Sequence, residues 1–384
     1  MTFNGGKIDL KNPCNICGSV SFQDVLLFNR LIFSDGSKSN GNLIKEECAK
    51  CGTIRTKLKM NLEEFYFKNY QPSRNIDTVA LVDNEEINRS QFIYNWIEDL
   101  IPNEIFQKIN SVFEIGCGQG YLLEKFDMKD KSGIEPSSKA SALASKIAQI
   151  RNIGYEQIND NEKYDLTLSY CVIEHVENPN SFIEKNYKIL NEERGIMCIA
   201  LPIQDKFNYD LIFADHIHHF EHKNFISLLS NNGFEIINYE LGRGSYFNIG
   251  MYVCQKKELM YKKEFFFIKN KNITNVNKIF SNIDRFIEKY QDNKIFAFGY
   301  GEIAKTILPY TNLDKKILYY IDDYSNGTKI ITSKKSKELF FRMDNVTILL
   351  LVNPIHIEKI KRLYSEFNNI KFINIFENID MEII

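Results

Sequence analysis

The sequence alternates short apolar runs with amphipathic stretches, a pattern that predicts strands and helices in turn. The first alternation covers residues 111–253. Its predicted strands are 111–115, 132–135, 164–169, 195–201, one beginning at 234, and 246–253, and its predicted helices are 121–126, 137–150, 182–190 and 225–231. Such alternation predicts a mostly parallel sheet with helices on both faces.

Further elements are predicted on both sides of this region. Apolar residues at helical spacing predict a helix over 85–101 that ends at Pro102, and another helix over 276–290. A second β–α series follows, with predicted strands 294–299, 317–322, 346–352 and 371–375. We therefore place region boundaries after residue 72 and after residue 255, beside a lysine-rich stretch.

The composition excludes several classes of protein. The chain has 384 residues, of which 44% are hydrophobic and 26% charged, as in ordinary globular proteins. Its 48 Lys and Arg residues nearly balance its 50 Asp and Glu residues, which argues against a dedicated nucleic-acid-binding protein. The longest aliphatic run, 348–352, is too short to span a bilayer, and the N-terminal stretch lacks a secretory-signal pattern. We expect a cytoplasmic protein with no nucleic-acid or membrane partner.

Four of the eight cysteines form two CxxC pairs, each followed by glycine. The pairs are Cys14 with Cys17 and Cys48 with Cys51. Both thiolates of such a pair can reach one tetrahedral ion, so the pattern is typical of a closed, structural zinc site. The thirty residues from 18 to 47 would form a hairpin or a loop.

Disulfides and a redox-active CxxC are the alternatives for these pairs. A reducing cytoplasm disfavours disulfides, and a redox CxxC belongs to a thioredoxin-like strand-to-helix junction. The remaining cysteines lie among apolar residues and are expected to be mostly small core side chains. They are Cys117, Cys171, Cys198 and Cys254.

A glycine-rich turn follows the first strand of the central region, in the stretch FEIGCGQGY over residues 113–121. Glycines allow close approach of the backbone to a ligand, and the helix N-terminus that follows presents free amides. Glu135, nineteen residues after Gly116, ends the next strand, where a carboxylate can accept both hydroxyls of a ribose. Glu114 before a GxGxG pattern suits a ligand with a cationic sulfonium. A purely structural glycine turn is the alternative.

The turn resembles that of the class I S-adenosylmethionine-dependent methyltransferases. Two later stretches resemble the same family: YDL at 164–166 followed by SYCVIEHV at 169–176, and LNEERG at 190–195. The resemblance implies S-adenosylmethionine as the methyl donor. The donor-binding residues it implies are Glu114, Gly116, Gly118, Gly120, Glu135, Tyr170 and Cys171.

Five of the six histidines fall between residues 175 and 222: His175, His216, His218, His219 and His222. One interpretation is a metal site made by Asp215 and the last four histidines, although their spacing lacks a helical pair with a separate third ligand. Another is that they are surface or core residues with no role. A third is a general base beside the methyl donor, because histidine titrates near neutrality.

The order of the three regions narrows the resemblance to the zinc-containing nucleotide-sugar C-methyltransferases, which act on deoxy keto sugars. In that family a histidine of a Tyr-x-Glu-His element is the base, and the matching stretch here is FADH, residues 213–216. The resemblance implies His216 as the base, oriented by Asp215, with His175 stabilising the enolate or orienting the substrate. Phe213 stands where the family has Tyr, and the stretch GRGSYF at 242–247 also departs from the family pattern.

The C-terminal region carries its own GxGxxA pattern over residues 299–304, with Asp322 and Asp323 about twenty residues later. This spacing permits an NAD site. A packing turn in a structural Rossmann-like domain is the preferred interpretation, since an isolated pattern of this kind is weak evidence. The resemblance implies a scaffold that closes over the sugar nucleotide.

The sequence thus predicts an α/β protein with a zinc-binding module over 1–72, a Rossmann-like methyltransferase core over 73–255, and a C-terminal Rossmann-like domain over 256–384. The expected cofactors are S-adenosylmethionine and zinc, and the expected partner is a nucleotide-sugar substrate. We expect a monomer or a weak homo-oligomer. O-methylation of a sugar hydroxyl and a non-catalytic nucleotide-binding protein are the alternatives.

Overall fold

The computed structural model describes residues 13–57, 64–70, 77, 79–82, 85–257, 262–290 and 295–379. The predicted boundary between residues 72 and 73 lies outside these ranges. Strands are numbered along the chain as β1 Phe22–Ile32, β2 Lys38–Cys48, β3 Ile54–Thr56, β4 Val79–Val82, β5 Glu85–Asn88, β6 Ser111–Ile115, β7 Asp130–Ile134, β8 Gln149–Arg151, β9 Leu166–Tyr170, β10 Ile196–Pro202, β11 His218–His219, β12 Phe234–Arg243, β13 Tyr246–Lys256, β14 Ile295–Phe298, β15 Ile317–Ile321, β16 Ile330–Ile331, β17 Val346–Leu350 and β18 Ile370–Asn374. Helices are α1 Arg89–Leu100, α2 Asn103–Phe106, α3 Tyr121–Lys125, α4 Ser138–Ala144, α5 Pro179–Ile189, α6 His222–Asn231, α7 Asn272–Lys289, α8 Glu302–Ile307, α9 Ser333–Phe340 and α10 Ile357–Leu363.

The N-terminal sheet has the strand order β1-β2-β3-β11. Strands β1 and β2 form an antiparallel hairpin between the two CxxC pairs, which confirms that a hairpin spans this interval. The last strand, β11, comes from the central region and pairs with β3, His219 lying opposite Ile54. The N-terminal sheet is therefore joined by backbone hydrogen bonds to the segment that carries the clustered histidines.

The central sheet has seven strands in the order β12-β13-β10-β9-β6-β7-β8. The five strands from β10 to β8 are parallel, and β13 runs antiparallel between β10 and β12. Strands β6 and β10 are buried along their whole length, as expected for parallel strands covered on both faces. Strands β7 and β8 follow on one side of β6, whereas β9 lies on its other side. Open α/β sheets bind ligands at the point where the strand order reverses in this way.

Two predicted helices differ from the structure at one end. The predicted helix over 85–101 is a strand, β5, over its first four residues, because these pair with β4, and the helix α1 begins at Arg89. The predicted helix over 137–150 ends at Ala144, and Gln149–Arg151 forms the edge strand β8 against β7. In both cases sheet pairing, which the local periodicity does not encode, decides the boundary.

The C-terminal sheet has five parallel strands in the order β16-β15-β14-β17-β18. The buried face of helix α7 packs into a hydrophobic core that is formed by residues of all three regions. This core contains Leu26 and Ile54 from the N-terminal sheet, Phe207 and Phe213 from the central region, and Val276, Ile279, Ile283 and Ile303 from the C-terminal region. Among the described residues, no helix combines the length and apolarity needed to cross a bilayer.

Candidate active site

The glycine turn after β6 has the geometry of a ligand cradle. Gly116, Gly118 and Gly120 all have positive φ, at 74°, 54° and 84°. A Cβ on Gly116 would lie 2.6 Å from a methyl group of Val172, so this position tolerates only glycine. A Cβ on Gly118 would meet no atom within 4 Å, so open space lies beside the backbone there.

Glu135 holds the turn in place. One carboxylate oxygen accepts the backbone N–H of Gly118 at 2.8 Å, and the other accepts that of Ser137 at 2.8 Å. Burial raises the pKa of Glu135, although these two hydrogen bonds act in the opposite direction. Each oxygen keeps a further lone pair, so the carboxylate can support the turn and still accept a ligand hydroxyl.

Glu114 is a buried acid whose Oε2 atom has no hydrogen-bond partner. Burial, together with the charge of Glu135, raises its pKa to about 8, and the nearby Arg89 opposes this shift. An unpartnered buried carboxyl group is costly unless a ligand satisfies it. A cation placed against Glu114 would remove this cost.

The end of β9 forms the opposite wall of this part of the site. The Tyr170 hydroxyl is buried and has no hydrogen-bond partner, and the guanidinium of Arg89 lies 5.0 Å from the centre of the Tyr170 ring. Cys171 has φ of 56°, a left-handed conformation that is costly for a residue other than glycine. Its N–H donates to Ala200 of β10, which holds the strained turn.

His175 is held by groups from two regions of the chain. Its Nδ1 atom lies 2.7 Å from the Tyr66 hydroxyl and 3.0 Å from the backbone oxygen of Asp215. Asp215 is fully buried, and its carboxylate accepts from the Ser34 hydroxyl at 2.6 Å, the Ser34 N–H at 2.8 Å and the Tyr66 hydroxyl at 3.2 Å. Although burial alone would raise it, the pKa of Asp215 is held below its ordinary value by His175, His216 and these hydrogen bonds.

His216 lies beside His175 but has a different carboxylate partner from the one expected. The two imidazole rings are 4.7 Å apart between centres. The Nδ1 atom of His216 lies 3.3 Å from Oδ2 of Asp210, whereas the Asp215 carboxylate binds Ser34 and Tyr66. The expectation that Asp215 orients His216 is therefore corrected: the side chain of Asp210, six residues earlier, holds the ring.

Glu174 completes a group of three polar side chains. It is 1% exposed, and neither carboxylate oxygen has a hydrogen-bond partner. Burial raises its pKa to about 7, while His216 opposes the shift. Glu174, His175 and His216 each offer a ligand atom within 4.8 Å of the others. These atoms can receive a polar group of a substrate.

The other clustered histidines have separate partners. His218 lies 3.2 Å from the backbone oxygen of Glu177, His222 lies 2.9 Å from the Tyr252 hydroxyl, and His219 contacts Lys45 and Asp210. Within the described ranges, Asp215 and these histidines do not form a metal-ligand group.

One cavity of about 1120 Å³ connects these features. It is lined by Gly118 and Glu135, by His175 and His216, and by Tyr66 from the N-terminal region. The C-terminal region contributes its own glycine turn to the lining, where Asp322 accepts the N–H of Tyr300 at 2.8 Å. Asp322 thus fixes a turn at the cavity wall.

The four paired cysteines converge at a separate site. Their sulfur atoms lie within 4.8 Å of one another, with Cys14 and Cys51 at 3.8 Å and Cys17 and Cys48 at 3.5 Å. All four are free thiols, which excludes the disulfide alternative in this structure. Of the remaining cysteines, Cys117, Cys198 and Cys254 are buried as expected, and Cys171 is partly exposed. Cys117 and Cys171 both line the cavity.

Several residues of the site carry no local sequence signal. Tyr66 and Lys45 come from the N-terminal region, Arg89 begins α1, and Asp210 lies in a short helical turn. None of them belongs to a recognised motif. Tertiary packing alone brings them to the histidines and the glycine turn.

Comparison with known proteins agrees with this geometry. Residues 69–239 match a family model described as a methyltransferase domain. A ubiquinone biosynthesis O-methyltransferase of Rhodopseudomonas palustris is 33% identical over 98 residues, which is 23% of this chain and 38% of that protein. Its counterpart in Glaesserella parasuis is 33% identical over 113 residues, 26% of this chain and 47% of that protein. The chain thus spans less than half the length of these relatives.

The chain is also similar in part to solved structures of methyltransferases. An S-adenosylmethionine-dependent methyltransferase from Clostridium acetobutylicum is 12% identical, covering 44% of this chain and 91% of that one, with a TM-score of 0.34. An O-methyltransferase from a polyketide synthase multienzyme of Brevibacillus brevis is 13% identical, covering 48% and 85%, with a TM-score of 0.34.

The family match and the glycine turn both lie in the central region of the chain. Residues 69–239 match a methyltransferase domain, and the described residues of this range contribute most of the Rossmann-like seven-stranded sheet.

Proposed function

We propose that the protein transfers a methyl group from S-adenosylmethionine to a carbon atom of a nucleotide-linked deoxy keto sugar. The observation that carries the proposal is the shared cavity, which is lined both by the glycine turn with Glu135 and by His175 with His216. A methyl donor on the turn and an acceptor beside the histidines would then meet in one cavity.

The donor half of the cavity suits the three parts of S-adenosylmethionine. Glu135 accepts the ribose hydroxyls through the lone pairs that its backbone hydrogen bonds leave over. Glu114 supplies a carboxylate for the cationic end, and Arg89 supplies a cation for the carboxylate of the amino acid tail. Tyr170 and Cys171 at the end of β9 flank the methyl group.

The acceptor half supplies a base. His216 takes a proton through Nε2 from the carbon next to the ketone, and the C–H electron pair forms the enolate. The enolate carbon then forms the new bond to the methyl group, and the sulfur–methyl bond breaks to leave a neutral thioether. Glu174 in its protonated form donates a hydrogen bond to the oxygen on which negative charge develops. His175, fixed by Tyr66 and Asp215, orients the substrate and donates to the same oxygen when it carries a second proton on Nε2.

The C-terminal region is proposed to close over the nucleotide part of the substrate. Gly301 and Asn353 line the cavity, and a Cβ on Gly301 would meet no atom within 4 Å. Asp322 supports this wall through the backbone of Tyr300 and Tyr324 and is not assigned to ligand binding.

The four cysteines are proposed to bind one zinc ion with a structural role. A tetrahedron with zinc–sulfur bonds of about 2.3 Å has edges of about 3.8 Å, and the two sulfur pairs at 3.8 and 3.5 Å fit this size. In each pair the glycine that follows donates its N–H back to the first cysteine's carbonyl at 2.8 Å. All four ligand positions would be thiolates, so the ion would have no open position for chemistry.

O-methylation of a sugar hydroxyl is the second candidate. The names of the relatives, which are O-methyltransferases, favour it. The same His216 would remove the hydroxyl proton, and the same cavity would hold the donor.

Incubation of the protein with S-adenosylmethionine and a panel of sugar nucleotides, followed by mass spectrometry, tests the proposal. Gain of one CH₂ unit in a keto sugar, located on carbon by fragmentation, is the expected result. Gain on a hydroxyl oxygen would favour the second candidate. Methylation of none of the sugar nucleotides, with a protein that binds the donor, would overturn the assignment of the acceptor class.

A further inference from the structure

Lys45 is a fully buried lysine at the junction of the N-terminal sheet and the histidine segment. It lies on β2, three residues before Cys48. Its Nζ atom lies 2.7 Å from the Thr56 hydroxyl, 2.8 Å from the backbone oxygen of Phe213, 2.9 Å from that of His216, and 2.8 Å from Nε2 of His219. Burying a charged lysine costs free energy unless its ammonium group is hydrogen-bonded, so packing alone does not explain a lysine at this position.

The contact with His219 fixes where the proton of that ring lies. Burial lowers the pKa of Lys45 to about 7, while the charges of Asp210 and Asp215 oppose this shift. In its charged form Lys45 can only donate, so Nε2 of His219 is then the acceptor and the proton of the ring lies on Nδ1. The Nδ1 atom lies 3.0 Å from Oδ2 of Asp210 and donates to it. Burial and the charge of Lys45 lower the pKa of His219 to about 3, so the ring stays neutral and keeps one tautomer near pH 7.

The same oxygen of Asp210 then fixes the proton of His216. Oδ2 lies 3.3 Å from Nδ1 of His216, while Oδ1 accepts from the Gln204 side chain at 2.8 Å. Burial alone would raise the pKa of Asp210, but His219 and His216 hold it below its ordinary value, so the group is a carboxylate. A carboxylate accepts, so the proton of His216 is on Nδ1 and its lone pair is on Nε2.

We propose that Lys45 is a positioning residue for the base: it holds His219, whose Nδ1–H holds Oδ2 of Asp210 where that carboxylate fixes the tautomer in which His216 presents an unprotonated Nε2 to the substrate. The proposal rests on the proposed function, in which His216 removes the acceptor proton. Because Lys45 lies on β2, the N-terminal region would help to orient the base through this chain of hydrogen bonds.

Other charged and titratable groups also face these rings. Glu174 and His175 lie beside His216, and Asp215 lies within electrostatic range of both Lys45 and His216. The effect of a substitution at Lys45 must therefore be measured on the protonation of the histidine rings as well as on the methylation rate.

Nitrogen-15 NMR of histidine-labelled wild-type protein tests the tautomers without any substitution. We expect His219 and His216 each to carry the proton on Nδ1 near pH 7.5. A proton on Nε2 of His219 in the wild type would overturn the proposal, whether or not the protein methylates a sugar nucleotide. Absence of methylation with the expected tautomers would instead contradict the proposed function and leave the hydrogen-bond chain standing.

Lys45→Met tests the effect on the rate, with Lys57→Met as the matched control. Lys57 adjoins the same sheet but pairs with Asp24 and Glu46 and does not contact the histidines. In Lys45→Met we expect the nitrogen-15 signals of His219 and His216 to shift and donor affinity to stay unchanged. The value of kcat should fall on the order of tenfold or more, a part of the rate enhancement that a positioned base contributes. Folded Lys45→Met with wild-type kcat would overturn the proposal. If this variant does not fold, the wild-type NMR measurement decides.

Discussion

Asp210 and His216 form the hydrogen bond that orients the proposed base, with Oδ2 of the acid 3.3 Å from Nδ1 of the ring. Asp215, although adjacent to His216 in the chain, binds Ser34 and Tyr66 and lies 3.7 Å from Nδ1 of His175. The two acids therefore serve two different histidines. In the proposed mechanism this division separates the orientation of the base, His216, from the positioning of His175, which stabilises the negative charge on the substrate oxygen.

Because Asp210 and Asp215 contact different histidines, we expect removal of the two carboxylate charges to lower kcat by unequal amounts. Asp210→Asn places an amide against His216 and can reverse its tautomer, as in a Ser-His-Asp triad, so kcat should fall by about a hundredfold or more. Asp215→Asn should cost less, because the Tyr66 hydroxyl and the backbone oxygen of residue 215 still hold the His175 ring. Steady-state kinetics of both variants at saturating donor gives the comparison. A larger loss in Asp215→Asn would return the orienting role to Asp215.

The raised pKa of Glu114 predicts that donor binding releases a proton. Burial holds this pKa at about 8, so the group is largely protonated at pH 7, and a bound cation favours the ionised form. Donor affinity should therefore rise as the pH increases towards 8. Calorimetry at pH 7 in two buffers with different ionisation enthalpies measures the release. Glu114→Gln should abolish the release and weaken binding, whereas equal heats in both buffers for the wild type would show that Glu114 does not face the cation.

Glu135 is predicted to be essential for donor affinity. Glu135→Ala loses the ribose contact and the support of the Gly118 amide, and should cost on the order of 1.5–3 kcal/mol of donor binding. Glu135→Gln keeps an acceptor and should cost less. Asp322→Ala is the control, since Asp322 supports the other glycine turn by the same kind of backbone hydrogen bond. Unchanged donor affinity in Glu135→Ala, or a loss in Asp322→Ala, would reassign the donor site.

Protein prepared without added metal is predicted to contain about one zinc ion per chain. Elemental analysis measures this directly. Cys48→Ser should lose the ion and lower the thermal stability, with a smaller effect on the chemistry of protein that remains folded, because the thiolates lie outside the cavity. Cys254→Ser, a buried cysteine in β13, should keep the ion. Folded wild-type protein without metal would contradict the zinc assignment.

The sequence predicts the features of the site that depend on a local residue pattern, but not the contacts that depend on tertiary packing. The glycine turn after β6 and the place of Glu135 at a strand end follow from strand–turn–helix spacing, and both are found in the structure. The partner of His216 could not be predicted, because a turn at Asp210–Ile212 sets the direction of each side chain in this irregular segment. Lys45 and Tyr66 reach the histidines only through packing of the N-terminal sheet, which no motif describes.

Hydrogen exchange at the substrate carbon tests whether His216 is the base for methyl transfer. With a methylation-incompetent donor analogue bound in deuterated water, wild-type protein should exchange the hydrogen next to the ketone of its sugar nucleotide. His216→Ala should bind the donor normally, should not exchange this hydrogen, and should methylate roughly a hundredfold to ten-thousandfold more slowly. Exchange and methylation at wild-type rates in His216→Ala would contradict the account, and their loss in His175→Ala instead would assign the base to His175.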